Sequence, residues 1–193
     1  MIVSDIIQSM NQFVSRAGDK LDFALTEFEI DPSGLVAADF GSSTGGFVDC
    51  LLYRGASKVY SVDTSYGELA WKLRNDNRVV VMERTNAMHV NLPEKVDLVT
   101  IDTSWTKQVF VLPSAINNLK KSGLIISLVK LHYESPKKFL VKGRLKEENI
   151  DEVVAQVENE IKSLNLKILK TARSPILGEK GKNIEMLFLI KSG

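Results

Sequence analysis

The segment ADFGSSTGGF, residues 38–47, lies between an apolar run and a pattern typical of a helix. LVAADF (35–40) reads as a buried strand, and GGFVDCLLYRG (45–55) reads as the helix that follows it. Glycines in such a turn let the backbone approach a ligand, and the free N–H groups of the helix start favour negative charge. The segment therefore predicts a strand–loop–helix unit that holds a nucleotide-like ligand.

The composition is compatible with this prediction and narrows the class of protein. At 193 residues we expect one domain over residues 1–193, with an N-terminal extension at 1–12. No apolar run approaches the ~18 residues that a membrane span needs, and the start lacks a secretory signal, so we expect a cytoplasmic protein that does not bind membranes. The formal net charge is +1, so any surface for nucleic acid must be local.

Cysteine and histidine are scarce. A single cysteine, Cys50, excludes an internal disulfide and a zinc site built from cysteines. His89 and His132 lack metal-ligand spacing, so we predict no metal site. Cys50 is expected to pack within a helix.

Apolar runs alternate with helical patterns along most of the chain, as in a parallel α/β sheet. Most runs are continuously apolar, which is typical of strands buried on both faces. The predicted strands are LVAADF (35–40), KVYSVD (58–63), RVVVM (78–82), VDLVTID (96–102), GLIISLVK (123–130), LKILKTA (166–172) and IEMLFLI (184–190). The link between the last two is too short for a crossover helix, so they should pair antiparallel. The prediction is a seven-stranded α/β sheet with helices on both faces and an antiparallel C-terminal hairpin at its edge.

Helical patterns fill the links between these strands. YGELAWKLRND (66–76) and TKQVFVLPSAINNLKKSG (106–123) are predicted as helices, with Gly55 and Gly123 where helices end. A C-terminal helix carries apolar residues at helical spacing, namely Ile150, Val153, Val154, Val157 and Ile161. Ser15 is predicted to cap a helix before the first strand. That helix has one apolar face, formed by Leu21, Ala24, Leu25 and Phe28.

The acidic residue that ends the second strand suggests what the glycine turn binds. Asp63 follows the turn by about 20 residues, where a carboxylate can accept hydrogen bonds from a ribose diol. The turn has Gly41, Gly45 and Gly46 rather than G-x-G-x-x-G, which argues against a dinucleotide and suits S-adenosylmethionine, a cofactor without a pyrophosphate. Asp39 could order the loop or face a ligand ammonium group. The alternative is a glycine-rich turn with no ligand.

Two rival interpretations of the same segment receive less support. Residues 41–45 match G-x-S-x-G, the nucleophile elbow, and Asp102 and His132 follow in the Ser…Asp…His order. An elbow normally has several strands before it, and here only one predicted strand precedes the turn. The Asp-Phe-Gly at residues 39–41 is not that of a kinase, because the chain is too short and lacks the other kinase motifs.

Several stretches together resemble one known family. They are FVSRAGDKL (13–21), DFGSSTGGFVDCLLYRGASKVYSVD (39–63), YGELAWKLRND (66–76), ERTNA (83–87), VDLVTID (96–102) and SPILGEKGKNIEMLF (174–188). In this order they resemble the TlyA-type (hemolysin-like) branch of the FtsJ ribosomal RNA 2′-O-methyltransferases. The resemblance implies a Rossmann-like class I methyltransferase fold, S-adenosylmethionine as cofactor, and ribosomal RNA or a ribosomal subunit as partner. It implies no oligomeric state.

The resemblance also implies site residues. The family's Lys-Asp-Lys-Glu tetrad falls on Lys20, Asp102, Lys130 and Glu185. The implied cofactor residues are Asp39, Gly41, Ser42, Ser43, Thr44, Gly45, Gly46, Phe47, Asp63, Asn86 and Ala87. Asp63 would face the ribose of the cofactor, and Asn86 and Ala87 would lie near its adenine.

The chemistry of methyl transfer to a ribose suits this tetrad. A 2′-hydroxyl is a poor nucleophile, so a base must take its proton, and a lysine serves if burial or a neighbouring cation lowers its pKa. Lys130 ends a central strand, where ligands gather in open α/β sheets. Asp102 could orient Lys130, and Glu185 could hold Lys20 or the ribose. Taken one at a time, these residues read as solvated lysines and a polar residue of an edge strand.

The sequence departs from the family pattern in two places. Family members carry an S4-type RNA-binding domain ahead of FVSRAGDKL, whereas only residues 1–12 precede it here, so we expect a single methyltransferase domain without an S4 domain. After Lys130 the family reads Lys-Pro-Gln-Phe-Glu, and this chain reads KLHYE. A non-catalytic module that binds RNA or protein therefore stays as an alternative. Membrane lysis, suggested by the hemolysin label, lacks both a span and a strongly amphipathic basic helix.

Two further features bear on a substrate surface. The loop after Lys130 carries basic residues that could contact phosphates or be solvated, namely Lys137, Lys138, Lys142, Arg144 and Lys146. Trp105, just after Asp102, is a candidate wall of the substrate pocket. Trp71 lies within a predicted helix and is expected to be buried in the protein core.

Overall fold

The computed structural model describes residues 12–178 and 182–192, so most of the expected N-terminal extension lies outside the described residues. The strands of the main sheet are β1 (Val36–Phe40), β2 (Lys58–Val62), β3 (Val79–Met82), β4 (Val96–Ile101), β5 (Leu119–Lys130), β8 (Leu166–Arg173) and β9 (Glu185–Ser192). Their order is β3-β2-β1-β4-β5-β9-β8. The first five are parallel, and β9 is antiparallel to both β5 and β8. The predicted α/β sheet and its antiparallel edge hairpin are confirmed.

Helices cover both faces of this sheet. They are α1 (Ala17–Glu27), α2 (Gly46–Tyr53), α3 (Trp71–Arg74), α4 (Gln108–Asn118), α5 (Leu131–Glu134) and α6 (Ile150–Ser163). One core cluster joins the sheet to α4 and α6, and the other joins it to α1, α2 and α3. Because apolar side chains from both faces of the strands are buried, the continuous apolar runs of the sequence are explained. Cys50 is fully buried within α2, as expected.

Three local predictions were wrong. The helix expected over 66–76 forms only at α3, because Gly67 has φ 79° and Ala70 donates its N–H to Thr44 O at 3.1 Å, which holds the preceding residues in a loop. Trp71 is consequently 77% exposed instead of buried. Gly123 does not end a helix, since β5 already begins at Leu119. Gly55 does follow a helix end, with φ 90°.

The helix before the first strand has the predicted face but not the predicted cap. Its apolar residues Leu21, Ala24, Leu25 and Phe28 are all buried. The Ser15 hydroxyl makes no capping hydrogen bond, and the Ser15 carbonyl instead accepts from the Gly18 N–H at 3.0 Å. The Ser15 side chain lies against Gly46, so a methyl group on Gly46 would collide with it. This contact holds the N-terminal segment on the glycine loop.

A short second hairpin follows α5. It consists of β6 (Leu140–Val141) and β7 (Arg144–Leu145), joined by Lys142 and Gly143, which have φ of 49° and 77°. Two central residues with positive φ are typical of the tight turn whose twist matches the paired strands. The ends of β1, β2, β4 and β5 and the start of β9 meet at one edge of the sheet, which is where open α/β sheets bind ligands.

Candidate active site

The glycine loop folds tightly because its backbone has no room for side chains at two positions. Gly41 has φ 89°, and a Cβ there would lie 2.8 Å from the carbonyl oxygen of Asp102. Gly45 has φ 98°, and a Cβ there would collide with the side chains of Leu69 and Leu73. The Gly41 N–H donates to Val62 O at 2.8 Å, so the loop starts against the end of β2. Any other residue at these positions would be strained and would clash.

The carboxylate of Asp63 is tied to this loop. Its Oδ2 accepts the Ser43 N–H at 2.7 Å, and its Oδ1 accepts the Ser65 N–H at 2.8 Å and the Ser65 hydroxyl at 2.7 Å. Ser43 itself has φ 46°, an uncommon conformation outside glycine. Each carboxylate oxygen has two lone pairs, so Oδ1 is fully used and Asp63 retains one acceptor position, on Oδ2.

A cavity of about 290 Å³ opens beside Asp63. Its wall includes Gly41, Ser43, Asp63, Asn86 and Ala87, which are five of the predicted cofactor residues. The Asn86 side chain accepts the Met88 N–H at 2.9 Å, which fixes the turn that closes this wall. The shape and the acceptors of this cavity fit a nucleoside, with a carboxylate toward the hydroxyl groups and an apolar residue, Ala87, on one side.

Other predicted cofactor residues lie beneath the loop. Phe47 is buried in the core, and Gly46 is packed against Ser15. Asp39 is almost fully buried, with Oδ1 accepting the Thr100 hydroxyl at 2.7 Å and Oδ2 without a hydrogen bond among the described residues. Burial raises the pKa of Asp39 to about 7, opposed by hydrogen bonds from Thr100 and Ser42 and reinforced by Asp102 and Asp63. None of Asp39, Gly46 and Phe47 lines the cavities formed by residues 12–178 and 182–192 around the loop.

The four tetrad residues meet as two ion pairs. Lys20 of α1 contacts Glu185, the first residue of β9, with Nζ 2.6 Å from Oε2. Lys130, the last residue of β5, contacts Asp102, the residue after β4, with Nζ 2.6 Å from Oδ1. Lys130 and Glu185 lie directly opposite each other in the β5–β9 pairing. The side chains of the first pair are 8% and 3% exposed, and those of the second are 14% and 17% exposed.

The Lys130–Asp102 contact is a charge pair whose angle does not suit a hydrogen bond. The Lys130 Nζ instead donates to the Ser104 hydroxyl at 3.3 Å. Asp102 is held in turn by the backbone, since its N–H donates to Phe40 O at 2.9 Å. The Lys130 ammonium group therefore lies in the wall of a polar cavity, beside the carboxylate of Asp102.

All four tetrad residues line a single cavity of about 540 Å³. It shares Gly41, Ser43, Asp102, Ser104 and Trp105 with the smaller cavity, so the two are adjacent. Groups bound in the two cavities would therefore meet near Asp102. Sequence reasoning did not single out Arg16, Ser104 or Tyr133, which also line the larger cavity, and it gave Ser15, another lining residue, only as a helix cap.

An aromatic pair stands at the junction of the two cavities. Trp105 is 79% exposed and has φ 63°, and its ring lies 4.9 Å from that of Tyr133. Tyr133 comes from the KLHYE segment that departs from the family pattern. A bulky residue with positive φ is strained, and such strain clusters at functional sites. The structure thus puts Trp105 where the sequence predicted a pocket wall.

The hydrogen bonding argues against a nucleophile elbow. The Ser43 hydroxyl donates to Glu68 at 3.3 Å, and Asp102 pairs with Lys130 rather than with His132. Nδ1 of His132 is buried and has no hydrogen-bond partner in the part of the chain that the structure describes. Burial and the nearby Lys130 lower the pKa of its imidazole. No serine–histidine–aspartate triad forms from these residues.

Glu134 ties the segment after Lys130 to the segment after Asp102. Its Oε1 accepts the N–H of Gln108, the first residue of α4, at 2.9 Å. Burial raises the pKa of Glu134 to about 7, and the hydrogen bond from Gln108 and the charge of Lys107 oppose this rise. The contact fixes the start of α4, which follows the loop that carries Trp105.

Two general features of the described residues complete this picture. Within residues 12–178 and 182–192, histidine, cysteine, aspartate and glutamate form no group of three or more with the spacing of a metal site. Over the same residues, no helix is long and apolar enough to span a membrane.

Comparison with known proteins gives consistent matches. Residues 13–191 match the model of the FtsJ-like methyltransferases. Hemolysin A of Brachyspira hyodysenteriae is 35% identical over 189 residues, which cover 95% of this chain and 78% of that protein. The 16S/23S rRNA (cytidine-2′-O)-methyltransferase TlyA of Mycobacterium tuberculosis is 44% identical over 133 residues, covering 67% of this chain and 49% of that protein.

A solved structure extends these matches to the fold. A candidate hemolysin from Streptococcus thermophilus superposes with a TM-score of 0.90 at 32% identity, over 94% of this chain and 67% of that one. The expected Rossmann-like methyltransferase fold is thereby confirmed. The chain spans about half the length of the mycobacterial relative and about three quarters of Hemolysin A.

Proposed function

Since the chain belongs to the FtsJ-like methyltransferase family, we propose that it is an S-adenosylmethionine-dependent methyltransferase acting on a ribose 2′-hydroxyl of ribosomal RNA. One observation carries the proposal: two ion pairs, Lys20–Glu185 and Lys130–Asp102, line one cavity that adjoins the cavity of the glycine loop. The activity named for the mycobacterial relative supports the substrate class. Such a substrate agrees with the expected cytoplasmic location.

The residues of the smaller cavity fit S-adenosylmethionine. The close approach of the Gly41 backbone, the Asp63 carboxylate and the small Ala87 side chain would hold its nucleoside part. Ser42, Ser43 and Thr44 line the larger cavity, and their hydroxyl oxygens would accept hydrogen bonds from the ammonium group of its amino acid part. Asp39, Gly45, Gly46 and Phe47 would support this loop from below. When bound, the cofactor supplies an electrophilic methyl group on a sulfonium.

Lys130 is the proposed base. In its neutral form the amine would take the proton of the 2′-hydroxyl as the oxygen attacks, which removes the main obstacle to the reaction. Asp102 would keep Nζ at the boundary between the two cavities, and Ser104 would restrict its position further. Holding the lysine in this way lowers the entropy lost on reaching the reactive geometry.

The second ion pair and the aromatic pair would position the RNA. Lys20 and Glu185 satisfy each other's charge and present polar atoms to a ribose in the larger cavity. Trp105 and Tyr133 would offer a flat surface on which a splayed-out base stacks, as is usual for single-stranded RNA. Lys20 and Glu185 are therefore proposed as substrate-orienting members of the tetrad.

The test is methyl transfer from tritiated S-adenosylmethionine to bacterial ribosomal RNA and to isolated ribosomal subunits. We expect tritium in RNA whose labelled linkages resist alkaline hydrolysis, because that cleavage needs a free 2′-hydroxyl. Label that is released as an alkali-sensitive nucleotide would indicate base methylation and contradict the proposal. If no methyl transfer is seen, calorimetry with S-adenosylmethionine, with NAD as control, shows whether the protein binds the cofactor. Cofactor binding without transfer to any of these substrates would favour a non-catalytic binding module.

A further inference from the structure

A third cavity lies next to the chain segments that contain Gly178 and Glu185 of the larger, catalytic cavity. It measures about 360 Å³ and is lined by Leu177 and Ile184, whereas their chain neighbours Gly178 and Glu185 line the catalytic cavity. The Gly178 N–H donates to Asn183 O at 2.9 Å and holds the two segments together. Because adjacent residues are ~3.8 Å apart along the chain, the two cavities are back to back across one layer of backbone.

Three cations line this third cavity, and none of them is ion-paired with a carboxylate of residues 12–178 or 182–192. Arg144, Arg173 and Lys182 line it, and all three side chains are exposed. Among the described residues none of the three forms an ion pair, although Glu147 is also part of the lining. We call the three residues the basic cleft. The apolar residues Leu145, Ile150, Leu177 and Ile184 line the same cavity.

Three of the five other arginines are ion-paired. Arg54 pairs with Asp22, Arg74 with Glu83 and Arg78 with Asp76. A fixed group of unpaired cations repels itself, and its natural complement is a polyanion rather than a single carboxylate. Arg16 and Arg84 also form no ion pair among the described residues, so the distinctive feature of the basic cleft is that three such cations line one cavity.

The basic cleft is rigidly presented. The Asn183 side chain accepts the Leu145 N–H at 3.0 Å and donates to Gly143 O at 3.1 Å, which ties the β6–β7 hairpin to the segment leading into Glu185. The Lys146 N–H donates to Phe139 O at 3.1 Å across the base of the hairpin. The hairpin that carries Arg144 is therefore hydrogen-bonded to the segment that leads into the tetrad residue Glu185.

We propose that the basic cleft binds backbone phosphates of the RNA that flank the nucleotide held in the catalytic cavity. This inference rests on the proposed function and names the surface that docks its substrate. Phosphate contacts fix the position of a strand without reading its sequence, and bidentate guanidinium groups suit phosphate oxygens. The exposed Lys137, Lys138 and Lys142 of the neighbouring loop extend the same positive surface away from the cleft.

The test compares two triple variants with the same change in charge. The first is Arg144→Gln, Arg173→Gln and Lys182→Gln. The control is Lys121→Gln, Lys167→Gln and Lys191→Gln, three exposed lysines at the opposite ends of β5, β8 and β9. The probe is a fluorescein-labelled single-stranded RNA of about 20 nucleotides, followed by fluorescence anisotropy between about 50 and 200 mM KCl.

We expect the cleft variant to raise Kd about tenfold or more at low salt and to reduce the slope of log Kd against log[KCl] by about 2, because each lost phosphate contact on a single strand contributes ~0.7. The control variant should change Kd less than about threefold, since its charges only add to the long-range field. Equal losses in both variants, or no loss in the cleft variant, would overturn the proposal. So would the absence of RNA binding by the unaltered protein.

Methyl transfer to ribosomal RNA separates this proposal from the proposed function. The cleft variant should raise KM for RNA with kcat and cofactor affinity close to those of the unaltered protein. If the cleft variant is active with an unchanged KM, the proposed role of the basic cleft is contradicted and the proposed function is not affected. If RNA binding depends on the basic cleft but the protein methylates no RNA, the basic cleft stands and the proposed function is contradicted.

Discussion

The two adjoining cavities are built in different ways. The smaller one is built around backbone, from the tight loop that begins at Gly41 and the turn at Asn86, and its lining carboxylates are those of Asp63, Glu68 and Asp102. The larger one is made of charged side chains that come from four separate elements and are buried as two ion pairs. The first arrangement depends on local chain geometry, and the second depends on the whole sheet being assembled.

This difference has a consequence for what each cavity can tolerate. Substitutions other than proline leave backbone donors in place, so changes to the side chains of the smaller cavity should alter mainly cofactor affinity. A buried charge without its partner is costly, so the larger cavity should change in both activity and stability. Substitutions in the smaller cavity should thus change the Kd for the cofactor, and substitutions in the larger cavity should change kcat or the free energy of unfolding.

The largest effect is expected from Lys130→Ala. Loss of the proposed base should lower kcat about 10²–10⁴-fold, the usual contribution of general acid–base catalysis, while the Kd for S-adenosylmethionine stays within about threefold. Steady-state transfer to ribosomal RNA and calorimetric titration measure the two quantities. Lys121→Ala, at the exposed end of the same strand, serves as the control and should leave both unchanged. An equal loss of cofactor affinity in Lys130→Ala would show that the two cavities are not separable.

The difference between the cavities also explains which site residues could be predicted from the sequence alone. The glycine loop and Asp63 could be predicted, because positive-φ glycines and an acidic strand end leave a signal within about 25 residues of sequence. Strands β1, β2 and β4 were predicted within about one residue, since burial on both faces gives continuous apolar runs. The tetrad could not be predicted in this way, because nothing local in the sequence relates Lys20 to Glu185. Only the resemblance to a family placed these residues together.

Tertiary contacts account for what the sequence did not predict. The helical pattern around Trp71 is overridden by the contact of Ala70 with Thr44 in the glycine loop. The basic loop was visible as a run of charges, but Arg173 and Lys182 join Arg144 only when β8 and the segment before β9 are folded beside the hairpin. Both cases need pairings between residues far apart along the chain.

The next largest effect concerns the buried pair at Lys20. Lys20→Met should lower the free energy of unfolding by about 3–5 kcal/mol, because it leaves Glu185 buried without its cation. Adding Glu185→Leu should restore part of this loss, since it removes the uncompensated charge. Urea unfolding monitored by circular dichroism gives the values. Lys58→Met, in the exposed pair with Glu94, should cost less than about 1 kcal/mol. A double variant less stable than Lys20→Met would contradict this account of the larger cavity.

Asp63→Ala tests the smaller cavity. Loss of hydrogen bonds to a charged group costs about 1.5–3 kcal/mol each, so the Kd for S-adenosylmethionine should rise about 10–100-fold while kcat at saturating cofactor falls little. Calorimetry gives Kd, and transfer at saturating cofactor gives kcat. Glu94→Ala removes a carboxylate that lines neither cavity and should change Kd less than about threefold. If Asp63→Ala binds the cofactor as tightly as the unaltered protein, the ribose is held elsewhere.

The smallest effect concerns the support beneath the loop. The pKa of Asp39 is about 7 in the folded chain and 3.8 in its ordinary state, so folding favours the protonated carboxyl. Its contribution to stability is full below pH 3.8 and is lost as the pH rises to about 7. Asp39→Asn removes this titration but can still accept from Thr100. The unfolding free energy of Asp39→Asn relative to the unaltered protein should therefore rise by about 1 kcal/mol between about pH 6 and pH 8.

Asp76→Asn is the matched control for this pH dependence, because a hydrogen bond from Arg78 lowers the pKa of Asp76 and this carboxyl stays ionised throughout the same range. The difference between Asp76→Asn and the unaltered protein should then be constant with pH. If the difference for Asp39→Asn is constant as well, Asp39 is ionised in the folded chain at pH 6. The smaller cavity would then carry a buried negative charge beneath its backbone, and the contrast with the charged larger cavity would weaken.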